Sequence, residues 1–143
     1  MASLYTILLA LHNINRWLVL LTGIWAVVQN ISVMGGGRPF TPSERRPVAT
    51  FVGTLHLQVV LGLGLYALMG MQHMTVFPGV RPSFGLEHMG MGLLAAIFAT
   101  VGSIQSRKAA TEQAKGRAAV IWCGLALLIL LAAIPWFRRL LPF

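Results

Sequence analysis

Four long apolar stretches separated by short polar connections take up nearly the whole chain. The first runs from about Leu4 to Val33 (4–33) and is interrupted on one side by His12, Asn13, Asn15 and Arg16; three consecutive glycines, Gly35 to Gly37, break it. Thr41-Pro42-Ser43-Glu44 then reads as a helix start. Thr41 caps, Pro42 takes the first helical position, where its missing N–H costs nothing, and Glu44 closes a capping box. The second stretch therefore begins before the membrane and crosses over 48–71, and Pro78, Gly79 and Pro82 make the next connection a loop. The third occupies 83–105 and the fourth 118–137, with Pro135 near its end. A crossing helix needs roughly 20 apolar residues. The pattern thus predicts a single domain of the all-α class: an integral membrane four-helix bundle of up-and-down connectivity, its first helix retained rather than cleaved as a signal peptide.

Composition agrees. Of 143 residues 57% are hydrophobic and 10% charged, which excludes an ordinary soluble core. A net charge of +8 in a soluble chain points to nucleic acid, but here the basic residues sit in connections beside apolar stretches. Arg38, Arg45 and Arg46 lie between the first two stretches and Arg107, Lys108, Lys115 and Arg117 between the last two; Arg81, Arg138 and Arg139 lie opposite. The positive-inside rule places both basic connections in the cytoplasm and both termini outside. The expected partner is the lipid bilayer, not nucleic acid. Trp122 at the inner end of the fourth span, Trp136 at its outer end and Tyr66 in the outer part of the second read as interfacial aromatics. Cys123 is the only cysteine, which excludes an internal disulfide or a thiolate cluster.

The ionisable residues inside these spans carry the candidate chemistry, because each costs about 2.5–3.5 kcal/mol to insert and calls for a partner. They are His12, Arg16, His56, Glu87 and His88; His73 falls in an outer loop. At 1.5 Å per residue, counted from the cytoplasmic ends, His12 lies about 27 Å up, His88 about 26 Å and His56 about 18 Å. His12 and His88 are therefore expected level, on helices running the same way. Two imidazoles at one depth across a gap are what a six-coordinate b-type haem requires. Gly85 and Gly92 share a helical face with His88, and Gly53 lies one turn before His56, where small residues let a flat macrocycle approach the backbone. Close helix packing explains the same glycines, and Gly62, Gly64 and Gly90 occur where no ligand is expected.

Arg16, one turn from His12, suits a haem propionate; equally, Arg16 and Glu87 suit an ion pair joining the first and third helices side by side. A zinc or copper site built from His12, His56 and His88 has the right ligand type, but the three depths spread too far to meet one ion. There is no His-Glu-x-x-His pair, no acidic cluster and no glycine-rich phosphate loop.

At these residues the chain resembles a family of small four-helix bacterial membrane proteins described as cytochrome b-like. The resemblance covers most of the chain. It rests on His12-x-x-x-Arg16-Trp17, on His56-x-Gln58 followed by Gly62-x-x-x-Tyr66, on Glu87-His88, on Ser106-Arg107-Lys108-Ala109 and on Ile134-Pro135-Trp136. The family often has a second proline after the terminal tryptophan, where this chain has Phe137. The resemblance implies a haem-binding subunit of the bacterial cytoplasmic (inner) membrane.

The resulting expectation is a one-haem cytochrome passing single electrons between a quinone pool or membrane redox complex and an acceptor outside. His12 and His88 are its axial ligands, His56 is the substitute, and Arg16 holds a propionate. The alternative is a cofactor-free accessory subunit of a larger membrane complex, in which the same polar residues lock helices together.

Overall fold

The structure, a computed structural model, describes residues 2–138; Arg139, counted in the orientation argument, lies outside them. Among the described residues there are four helices and no strand: α1 (Ala2–Met34), α2 (Pro42–Met71), α3 (Phe84–Lys108) and α4 (Glu112–Ala133). Each is long and apolar enough to cross a membrane. Even α4, the shortest at 22 residues, extends about 33 Å at 1.5 Å per residue.

The ends of the helices follow local chemistry. Gly36 adopts φ +78°, a left-handed conformation open to glycine at little cost, and so turns the chain after α1. Thr41 and Glu44 form the full capping box at the start of α2. α4 begins at Glu112, ahead of the apolar stretch, because the Thr111 side chain accepts from the Ala114 N–H at 3.1 Å and caps it. It stops at Ala133 rather than continuing to Phe137. Ile134 precedes Pro135, whose ring pushes its neighbour out of the helical region, and Ile134 has ψ 128°.

α1 packs against α2 and α4, and α3 packs against the same two helices, so α1 and α3 face one another across the centre. One end of this arrangement is dense. Glu44, with no exposed surface, is the knot there: its carboxylate accepts from Thr41 N–H (3.0 Å), from the Thr41 hydroxyl, from Gln29 (3.3 Å) and from Arg38 (2.6 Å). The buried Asn30 amide donates to the Glu44 carbonyl at 3.1 Å and ties α1 to α2. α4 meets α1 without side-chain clearance at Gly116, where a Cβ would stand 2.5 Å from the Met34 nitrogen. At Gly102 a Cβ would stand 2.7 Å from the Trp122 Cβ, so α3 and α4 are equally close.

The outward faces are apolar. Val60, Leu21 and Leu128 are each more than 60% exposed, and comparable Leu, Ile and Val residues stud every helix. In water so large an exposed apolar surface drives association; in a bilayer it is the lipid-facing side.

Candidate functional site

The end opposite Glu44 is hollow. A cavity of about 730 Å³ opens between the first half of α1, the second half of α2, the first half of α3 and the end of α4. His12, Arg16, Gly85, His88 and Gly92 all line it. The His12 and His88 rings come from the two helices that face each other across the centre, and their centroids are 6.3 Å apart with the planes at 64°.

Hydrogen bonds set the ring tautomers. His88 Nδ1 lies 2.7 Å from the Ala133 carbonyl, which can only accept, so Nδ1 carries the proton and Nε2 keeps the lone pair. Around His12 the deciding residue is Gln58. Its carboxamide oxygen accepts from Asn15 Nδ2 at 2.8 Å, and its nitrogen lies 3.0 Å from the His12 carbonyl and 3.1 Å from His12 Nε2. The carbonyl accepts only, so the Gln58 atom beside it is the nitrogen, and the ring atom it also reaches must accept. The His12 proton then sits on Nδ1, which is buried with no hydrogen-bond partner among the described residues. Asn15 completes the chain by donating to the Thr54 carbonyl at 2.9 Å.

Arg16 is 8% exposed, borders the cavity one turn along from His12 and lies 5.8 Å from the Trp17 ring. A second guanidinium, Arg138, also borders the cavity and lies 5.4 Å from the Phe77 ring. Phe77 and Phe84 pack on His88 at 5.6 and 6.4 Å, holding that ring in an aromatic sleeve.

Other expected residues stand elsewhere. His56 is on the exposed face of α2, within hydrogen-bond distance of the Thr100 hydroxyl at 3.0 Å, and does not line the cavity. Gly53, one turn before it, faces open space. The ion pair expected between Arg16 and Glu87 is not formed: Glu87 pairs with Arg81 from the preceding loop, a nearer partner, and α1 and α3 are diagonal rather than side by side. Trp122, on α4, donates its indole N–H to Gln105 of α3 at 2.8 Å. His73 is in the turn after α2 with φ 52°.

Two residues of the site escaped the search for ligands. Gln58 orients His12, and Gly62 makes room for it, since a Cβ there would stand 3.2 Å from His12 Cε1. They lie one turn apart on the inward face of α2, and that i, i+4 spacing was the available signal. A Cβ at Gly92 would meet nothing within 4 Å, whereas Gly85 packs under Val76 and Phe77.

Compared with models of known protein families, with curated proteins and with solved structures, the chain matches none.

Proposed function

We propose that this protein is a membrane b-type cytochrome that holds one haem between His12 and His88 and transfers single electrons. The observation carrying the reading is the 6.3 Å spacing of two imidazoles from facing helices inside a 730 Å³ cavity. Two imidazoles this close, from facing helices and with a cavity around them, would be able to hold one haem iron between them. The cavity volume is within the range of about 300–1,000 Å³ that sites for cofactor-sized ligands occupy.

The donor set suits the group. His88 offers Nε2 while the Ala133 carbonyl fixes its ring, the arrangement by which a second partner orients a ligating histidine. His12 would hold the iron through Nε2 if Gln58 gave up its bond to the ring and kept the one to the backbone carbonyl. Arg16 supplies a buried cation for a propionate. Gly92 leaves room at the wall, and apolar side chains make up most of the lining. The bound iron supplies the one-electron step; the chain supplies ligation, burial and charge. In this reading the helices run up and down through a bacterial cytoplasmic membrane with both termini outward, and the redox partner is the quinone pool or a neighbouring membrane complex.

A specific observation favours a second reading. His12 Nε2 and His88 Nδ1 are both satisfied within the protein, as they are in a cofactor-free accessory subunit whose polar residues lock its helices. The absorbance spectrum separates the two. Protein extracted in detergent from cells supplied with haem shows a Soret band, and sharp visible bands on reduction, if the cytochrome reading holds. A colourless preparation overturns it.

A further inference from the structure

Where α3 ends and α4 begins, far from the histidines, an open groove of about 470 Å³ is lined by Gln105, Lys108, Arg117, Ala118, Ile121 and Trp122. Its two cations are exposed, and among the described residues neither has a carboxylate partner. Their neighbours are already engaged: Lys115 pairs with Glu112 at 2.6 Å, and Arg107 donates to the Ser103 carbonyl at 3.0 Å. Trp122 is fixed by its bond to Gln105 and by edge-on packing against Phe98 at 5.3 Å.

The groove continues into an apolar strip. Ile121 borders it, and Leu125 and Leu128 follow at i+4 and i+7 on the same face of α4, all three exposed. From Arg117 to Leu128 the helix rises about 16 Å, close to the roughly 15 Å depth of one leaflet of a hydrocarbon core. Two cations in one groove, Lys108 at the end of α3 and Arg117 in the second turn of α4, followed by one leaflet's length of apolar surface, have the shape and charge of a phospholipid's complement.

We propose that this groove binds an anionic phospholipid, with the phosphodiester between Lys108 and Arg117 and an acyl chain along Ile121, Leu125 and Leu128. Basic pockets between membrane helices recognise such headgroups through charge-assisted hydrogen bonds. The continuous apolar strip distinguishes a lipid from a soluble phosphate. The proposal depends on the chain spanning a membrane and not on haem.

Trp122 reports on the site directly. The full chain is reconstituted in phosphatidylcholine vesicles containing either brominated phosphatidylglycerol or brominated phosphatidylcholine, and tryptophan quenching is followed. Comparison with W122F isolates the Trp122 signal. Anionic lipid is expected to quench Trp122 at several-fold lower mole fraction than zwitterionic lipid. The double variant K108Q/R117Q should bring the two lipids to near parity, since each cation near the surface contributes up to about five-fold, and K108R/R117K should retain the preference; circular dichroism checks that both fold. Equal quenching of Trp122 by the two lipids in the native chain overturns the proposal, as does a preference that survives K108Q/R117Q. Reversal of the preference by millimolar inorganic phosphate also overturns it, assigning the cations to a soluble anion.

Discussion

The Gln58 side chain bonds His12 at two places, the ring Nε2 at 3.1 Å and the backbone carbonyl at 3.0 Å. It therefore holds both the height and the rotation of the ring. Gln58→Leu leaves the Asn15 amide without this acceptor and is expected to destabilise the protein by about 1–3 kcal/mol, the usual cost of an orphaned buried polar group. Thermal unfolding in detergent, followed by circular dichroism, measures it. An unchanged midpoint contradicts the role assigned to Gln58.

The histidines separate by position. His12→Ala and His88→Ala should each abolish or weaken the low-spin haem spectrum, because each removes one side of the facing pair. His56→Ala should leave it intact, since that ring is bonded to Thr100 on the outer face of α2, and His73→Ala should do the same. Loss of the spectrum on His56→Ala alone reassigns the site.

Heights along the helices were legible in the sequence because helical rise is uniform; directions around them were not. His56 and Gln58 are two residues apart, about 200° around a helix at 3.6 residues per turn, so they cannot both face inward. Histidine chemistry drew attention to the first, while the second faces the cavity. Only α1 carries a polar stripe, His12, Asn15 and Arg16, that marks its interior face; the other helices are apolar on nearly every side and give no such sign. The starts of helices were readable where a side chain caps them, as at Thr41 and Glu44, and the end of α4 was misjudged by passing through Pro135. The Arg16–Glu87 pairing failed for a related reason: spacing along each helix does not reveal that α1 and α3 are diagonal, or that a loop returns Arg81 to Glu87.

Filling the cavity tests its use without touching a ligand. Gly92 borders the hollow with free space at its Cβ position. Gly92→Leu is expected to lower the haem content of purified protein strongly while leaving helical content and thermal midpoint near native. Full haem loading in this variant argues that the macrocycle does not lie there.

Helix contact can be probed at the opposite end. Gly116→Ala drives a methyl group against the Met34 backbone at 2.5 Å and the Val33 side chain at 2.7 Å, and should cost about 1–3 kcal/mol as an overpacked contact does. Gly124→Ala, on the same helix with nothing within 4 Å, should be neutral or stabilising by up to about 1 kcal/mol. Unfolding of the two variants in parallel checks the contrast; equal midpoints rule out close approach at Gly116.

The Glu44 knot joins α1 to α2 at the end away from the histidines, and the Gln58 bonds to His12 and Asn15 join the same two helices at the histidine end. α1 and α2 are thus riveted at both ends of their contact, and the hollow lies between that pair and the pair α3 and α4, which the His88 bond to the Ala133 carbonyl clasps in turn.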